Sequence, residues 1–461
     1  MDQVSEMGEA PLGRLLLKFS LPSIAIMLVN SLYNFIDRIF IGQGMGTDAL
    51  AAVTAGFPMM LVAEGIGALL SVGSATLISI AMGAKKRDDA VSVLGQSFSL
   101  AITSAIPIMA ASWLFMDPIL KLFGTTDTIM PLARTYIGII TIGFVFQIVS
   151  MAIANSLRAQ NRPRSAMVAT VSGTALNAIL APLFMFDEIP FIGGRGLGLG
   201  VLGAGLATVS CICLSFAVGM SFLTRGKHRV KLTLRGLTRL DREIDRKLCT
   251  IGLPSGGEML ARQLAGLITT KFVAIYGTAA IAALGIGNRL GGLVFMPLAG
   301  LMQGGGTIVG QNLGAENVDR AERTSKAASL FGGLSITVLM GLGIAFPEPL
   351  LRLFVGSPET VSVGIPMIRI MGSSFIVASY AIALSCAFSG SGYNMPMLIS
   401  SLAGRWGAQL PFLLVATYLL PLIGLKFGIL GVWSSFLLSD LVETTIIFLY
   451  YRRGAWKRMR V

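Results

Sequence analysis

Asp117-Pro118-Ile119-Leu120-Lys121-Leu122-Phe123 is echoed 231 residues further on by Glu348-Pro349-Leu350-Leu351-Arg352-Leu353-Phe354. Acid, proline, base and phenylalanine keep their places. The surrounding chain repeats at nearly the same spacing. Leu21-Pro22-Ser23 returns as Leu253-Pro254-Ser255, and Gly46-Thr47-Asp48-Ala49-Leu50-Ala51 as Gly277-Thr278-Ala279-Ala280-Ile281-Ala282. Gly83-Ala84 with Asp88 returns as Gly314-Ala315 with Asp319, and Gly200-Val201-Leu202-Gly203 as Gly428-Ile429-Leu430-Gly431. Ordered matches at one offset mark an internal duplication.

What is duplicated is apolar. The 461 residues are 54% hydrophobic and 13% charged, with a mean hydropathy of +0.76. Soluble domains carry about a quarter charged residues, and a water-soluble fold could not hide this much apolar surface. The 55 glycines suit close helix packing in lipid. A helix needs about 20 apolar residues to cross the hydrocarbon. Twelve stretches qualify: 15–42, 49–82, 90–114, 130–155, 165–186, 201–224, 249–276, 280–313, 327–346, 361–388, 396–420 and 428–451. Pro58 and Pro297 fall inside the second and eighth, where a missing N–H allows a kink. The expected fold is an all-α membrane protein of twelve transmembrane helices. Each repeat takes six spans. Six is even, so the repeats run the same way, as two parallel six-helix bundles around a central cleft.

The basic residues set the orientation. With the N-terminus inside, 25 of the 36 Lys and Arg fall in cytoplasmic segments and four (Lys121, Arg195, Arg352 and Lys426) outside. This is the positive-inside bias. It accounts for the net charge of +13 without nucleic acid, because the charge is spread over loops on one membrane face. The expected division is a cytoplasmic segment 1–14, a first bundle 15–224, a basic cytoplasmic linker 225–248, a second bundle 249–451 and a cytoplasmic tail 452–461. The first residues are acidic and lead into a long apolar run, so no cleaved signal peptide is expected. The expected location is a cell inner membrane, multi-pass, with both termini cytoplasmic.

Other chemistry is thin. Cys211, Cys213, Cys249 and Cys386 have no metal-ligand spacing and read as small apolar fillers. The one histidine, His228, lies in the basic linker. There is no nucleophile–base constellation and no GK[ST] nucleotide loop. No enzyme activity and no cofactor are expected.

Ionisable groups inside a membrane are costly and are functional candidates by default. Asp37, about five residues before Gly42, is the sharpest; its bland reading is a pair with Arg38. Glu64 lies mid-span among small residues, either facing the cleft or paired with an arginine. Glu258 and Arg262, at i and i+4, read as a pair on one helix face. Lys271, Arg289, Arg369 and Arg405 also lie within spans. Asp440 and Glu443, at i and i+3, read as a proton site or as partners for those bases. Tyr33, Gln147, Gln263 and Gln303, with Glu258 and Arg262, are candidate cleft residues for substrate. The 23 Met and 25 Phe give an adaptable apolar surface, most of which must serve packing.

The sequence resembles the MATE (multidrug and toxic compound extrusion) transporters. The resembling residues are Asp37 in Leu32-Tyr33-Asn34-Phe35-Ile36-Asp37, Gly46 to Ala52, Leu157-Arg158-Ala159-Gln160-Asn161, and Gly310-Gln311-Asn312-Leu313-Gly314-Ala315. They come in order across almost the whole chain. The resemblance implies export of bulky, mainly cationic organic compounds by antiport with H+ or Na+. It also implies a coupling site in which the span 1 aspartate works with an asparagine and an aspartate on span 5 and a threonine on span 6. Asn177 and Thr208 stand at those places, so Na+ at Asp37, Asn177 and Thr208 is the metal expectation. The pattern Asn-x-x-x-Asp-Pro reads Asn177-Ala178-Ile179-Leu180-Ala181-Pro182, and Ala181 removes the second carboxylate. Glu64 could supply the missing charge. The alternative within the same superfamily is a flippase for a lipid-linked or phosphate-bearing substrate, using Arg262, Lys271 and Arg289. The expected partners are a small-molecule substrate and membrane lipids, with no nucleic acid, and the expected state is a monomer.

Overall fold

The computed structural model describes residues 10–189, 193–225, 230, 232, 241–423 and 427–458. The expectations for the basic linker, including His228, therefore fall largely outside the described residues. The described chain is helical except for short connections. In the first repeat the helices are α1 (Leu12–Ala55), α2 (Phe57–Gly83), α3 (Arg87–Leu114), the short α4 (Met116–Leu122), α5 (Met130–Ala159), α6 (Pro163–Met185) and α7 (Gly200–Thr224). The second repeat begins with α8 (Arg242–Ala274), α9 (Thr278–Gly314), α10 (Val318–Ala345), α11 (Pro347–Arg352) and α12 (Pro358–Leu384). After α13 (Cys386–Ser391) and α14 (Met395–Ser401) come a π-helical turn (Leu402–Gln409), α15 (Leu410–Leu414), a second π segment (Val415–Leu419) and a 3-10 turn (Leu420–Ile423). The last long helix is α16 (Ile429–Arg453).

The duplication reappears in the backbone. Gly46 (φ 85) and Gly277 (φ 94) share an extended left-side conformation that only glycine adopts without strain. Lys85 and Glu316, Asn161 and Gly392, and Gly200 and Gly428 are likewise positive-φ residues at matching repeat positions. Packing repeats too. In one half α2 meets α3 and α5, and α5 meets α3 and α7; in the other, α9 meets α10 and α12, and α12 meets α10 and α16.

The helix boundaries differ from expectation at the first connection. Gly46, not Gly42, leaves the helix, and residues 47–55 resume it before Gly56. Pro58 then occupies the first turn of α2, where its missing N–H costs nothing, rather than kinking a helix interior. Pro297 does lie inside α9.

Ten helices among the described residues are long and apolar enough to cross a membrane. The two expected spans outside this set are 249–276, which lies in α8, and 396–420. The first carries Glu258, Arg262 and Lys271; the second is divided into short α, π and 3-10 pieces around Arg405.

The chain forms two compact units, Pro22–Gly256 and Met1–Leu21 with Gly257–Val461. Their borders fall at the repeated Leu-Pro-Ser segments. The start of α1 belongs with the second repeat because Leu15, Leu16 and Phe19 are buried with Ile308, Val309 and Phe388. The start of α8 belongs with the first because Gly252 approaches the backbone of Leu69, and Gly73 that of Leu248.

Apolar burial drives helix association less in lipid than in water, so close packing of small residues matters more. A Cβ on Gly390 would stand 2.5 Å from the Gly306 carbonyl oxygen and 2.8 Å from Val309 Cβ. Gly390→Val is expected to destabilise the protein by at least about 1–3 kcal/mol, the usual cost of overpacking. An unchanged thermal midpoint in detergent would contradict that.

On α4, Asp117 accepts from Arg134 Nε at 2.7 Å and Nη2 at 2.5 Å. These hydrogen bonds hold its carboxyl below the usual carboxylate range. The folded pKa is depressed, so the contribution is present above the unfolded value of about 3.9 and is lost as pH falls through the folded one. The pair is exposed, so the effect is small. Asp117→Asn is expected to flatten the acid limb of the melting-temperature profile in that window while leaving the neutral value nearly unchanged.

Candidate functional site

Each unit holds a buried polar centre. In the unit Pro22–Gly256 it is built by α1, α5, α6 and α7. Asp37 lies nine residues before the Gly46 break, so about 13 Å along the helix at 1.5 Å per residue, deeper than spacing from Gly42 implied. It acts electrostatically on Tyr33, Tyr136 and Cys211. Thr208 donates to the Ala204 carbonyl at 3.0 Å. Its single proton is thereby used, so the Tyr33 hydroxyl is the donor in the long 3.4 Å contact between them. Asn177 is 2% exposed and hydrogen-bonds Cys211. Thr174 donates to Asn30 Oδ1 at 2.9 Å, tying α6 to α1.

The donor set suits a small hard cation or a proton. Asp37 supplies a carboxylate, Thr208 and Tyr33 supply hydroxyl oxygens, and Asn177 Oδ1 is buried with no hydrogen-bond donor among the described residues. An amide oxygen held that way lacks the partner that burial normally demands, and a cation provides one. Ala181 is buried and contributes no oxygen, so the site has one formal negative charge. No group of three or more His, Cys, Asp or Glu residues suited to a metal occurs among the described residues. Glu64 stands apart. Burial alone acts on it, and it makes no ion pair or hydrogen bond with a described residue.

The other unit holds an ionic chain across α8, the 402–409 turn, α16 and α12. Arg262 Nη2 lies 3.0 Å from both Glu258 Oε1 and Glu443 Oε2. Arg405 Nε lies 2.9 Å from Glu443 Oε1, and its Nη2 lies 2.7 Å from Asp440 Oδ1. Ser374 donates to Asp440 Oδ2. The π-helical turn places Arg405, and such turns recur at functional positions. Gly404 lets that turn close on α16: a Cβ there would overlap Glu443 and stand 2.9 Å from the Ser439 carbonyl oxygen. Trp406 Nε1 donates to the Ala261 carbonyl at 3.0 Å, fixing the turn to α8.

The expected site residues thus divide between two centres. Asp37, Asn177, Thr208 and Tyr33 come together in one, and Glu258 and Arg262 in the other. The latter are not an isolated pair but the end of a longer chain. Gln147, Gln263 and Gln303 have no side-chain hydrogen bond to a described residue, and Gln263 is exposed. Tyr136, Asn30, Thr174 and Ser374 were not expected. Cys211, read as a filler, is a polar neighbour of Asn177. A tyrosine within a span is the one sequence signal that pointed toward Tyr136.

A duplicated helical chain, with ten helices among the described residues long and apolar enough to cross a membrane and a polar centre in each unit, has the architecture of a multi-pass membrane transporter. The MatE family model matches residues 22–183 and again 254–415, so it finds the duplication as well as the family. The chain belongs to the MatE family. It is 25% identical over 447 residues to the probable multidrug resistance protein YoeA of Bacillus subtilis (strain 168), covering 96% of this chain and 94% of that one. It is 27% identical over 445 residues to a FAD transporter of Shewanella oneidensis, covering 91% and 93%. Its fold matches the outward-facing conformation of a multidrug resistance MATE family transporter of the MOP superfamily, with TM-score 0.88, 23% identity and 99% of each chain covered.

Proposed function

We propose that this protein is a secondary active exporter of bulky, mainly cationic organic compounds, driven by antiport with H+ or Na+ at the Asp37 centre. The observation that carries the reading is the single carboxylate of Asp37 set among neutral oxygen donors in the membrane, with buried Asn177 Oδ1 left for a cation. Relatives named for multidrug resistance support the substrate class. An antiporter must bind its ion with different affinity in its two states, otherwise the gradient does no work. The centre can take a proton on Asp37, or coordinate Na+ through Asp37, Asn177, Thr208 and Tyr33. The protein works as a monomer in an inner membrane with both termini cytoplasmic.

A second reading, transport of a phosphate-bearing molecule, is favoured by the similarity to a FAD transporter and by the exposed Lys271, Arg289 and Arg369. Proteoliposomes separate the two. The exporter reading expects a fluorescent cationic dye to move when a proton or Na+ gradient is imposed, and the effective gradient names the ion. Dye movement indifferent to both gradients, with transport of a phosphate-bearing lipid or nucleotide instead, supports the second reading.

A further inference from the structure

The membrane edge at which α3 ends and α5 begins carries charge and bare apolar surface together. Leu114, Phe115, Leu122 and Phe123, flanking or ending α4, are all exposed. Large apolar side chains left open side by side suit lipid rather than water. The exposed Asp117–Arg134 ion pair stands among them and ties α4 to α5. Beside the pair is a groove of about 400 Å3, lined in part by Trp113, Leu114, Met116, Asp117, Arg134 and Gly138. That volume falls within the range of about 300–1,000 Å3 typical of ligand pockets.

Trp113 donates its indole N–H to Thr141 at 2.6 Å, so its ring is held in one orientation while it stays exposed. A ring with an apolar body and a polar tip favours the boundary between acyl chains and headgroups. Gly138 has nothing within 4 Å of the place a Cβ would take, which leaves the groove open there. Arg134 spends Nε and Nη2 on Asp117, and its Nη1 makes no hydrogen bond to a described residue. Each Asp117 oxygen accepts one of those bonds and has capacity for another. The groove therefore offers a donor and an acceptor of opposite charge side by side. Lys121, further along α4, also acts electrostatically on Asp117. The second repeat does not reproduce this arrangement. At the offset of 231, Trp113, Arg134 and Gly138 become Ile344, Ile365 and Arg369, and Glu348 pairs with Arg352 within α11 itself.

We propose that this groove binds one phospholipid with a primary-ammonium headgroup, phosphatidylethanolamine, its phosphate on Arg134 and its ammonium on Asp117. Both contacts are charge-assisted hydrogen bonds. A zwitterion also leaves the Asp117–Arg134 pair electrically balanced. The quaternary choline headgroup has no N–H to give Asp117, and a glycerol headgroup brings no cation to it. The acyl chains lie against Trp113 and Leu114. The site is separate from Asp37 and does not depend on the exporter reading; it requires only that the protein sit in a bilayer.

Native mass spectrometry of the purified full-length protein, delipidated and then offered dioleoyl lipids at equal concentration, tests this without relying on transport. The wild type is expected to retain one phosphatidylethanolamine with an affinity about tenfold above that for phosphatidylcholine or phosphatidylglycerol, the factor that one charge-assisted hydrogen bond brings. Asp117→Asn and Arg134→Gln should each weaken that retention by about the same factor. Gly138→Leu fills the groove and should weaken it without touching a charge. Arg352→Gln, in the corresponding short helix of the second repeat, should leave it unchanged. Equal retention of the three lipids, tighter retention of phosphatidylcholine or phosphatidylglycerol, or phosphatidylethanolamine binding unchanged in Asp117→Asn and Gly138→Leu overturns the proposal. The headgroup comparison uses the wild-type chain, so a variant that fails to fold does not remove the test.

Discussion

Asp37→Asn is expected to reduce gradient-driven dye export from proteoliposomes by about 5–150-fold, the range of typical coupling free energies of 1–3 kcal/mol. The substitution keeps size and removes the charge, exchanging one acceptor oxygen for a donor NH2. Asn177, Thr208 and Tyr33 supply neutral oxygens and Ala181 supplies none, so Asp37 is the one carboxylate among these groups. The variant should therefore still bind dye but lose its response to the gradient. Asn177→Ala and Thr208→Ala remove one neutral ligand each, and their effect should be smaller than that of losing the charge. A variant Asp37→Asn that responds to both gradients as the wild type does would make Asp37 structural. The phosphate-substrate reading would then come forward.

The architecture was open to reading because its causes are local and repeated. An apolar run of sufficient length forms a helix in lipid whatever its neighbours do. The duplicated Gly46 and Gly277 dictate the same backbone break twice. The break itself was misplaced, at Gly42 rather than Gly46, because several nearby glycines carry the same weight in sequence and only one adopts positive φ. The sites were less legible. Asp37 announces itself as a carboxylate in an apolar run. Tyr136, Asn30 and Thr174 become its surroundings only when α5 and α6 pack beside α1 and α7, which spacing does not encode. Glu258 and Arg262 were visible as an i, i+4 pair. Their link to Glu443 and Arg405 joins residues 181 positions apart and depends on a π turn that no simple periodicity signals. The two spans that failed the apolarity test were themselves a signal. A helix that tolerates charge at membrane depth must turn it toward protein, and α8 and the 402–409 turn do so toward each other and α16.

Arg405→Gln is expected to destabilise the protein by about 3–5 kcal/mol, because breaking a buried ion pair leaves its partner charged and uncompensated. Arg405 is the sole guanidinium paired with Asp440 among the described residues and one of two on Glu443, with 15% of its side chain exposed. Its removal leaves three acids with one arginine. Arg405→Lys keeps the charge, but a point ammonium cannot bridge two carboxylates as a planar fork does, so it should recover only part of the loss. Arg262→Gln should cost less, since that side chain is 36% exposed and water can screen what remains. Thermal unfolding of the three variants in one detergent gives the order directly. The discriminating case is the double variant Arg405→Gln with Asp440→Asn. If the penalty of Arg405→Gln comes from stranded charge, neutralising Asp440 must return a measurable part of it. If it comes from lost packing against Gly404 and α16, the double variant is no more stable than Arg405→Gln alone.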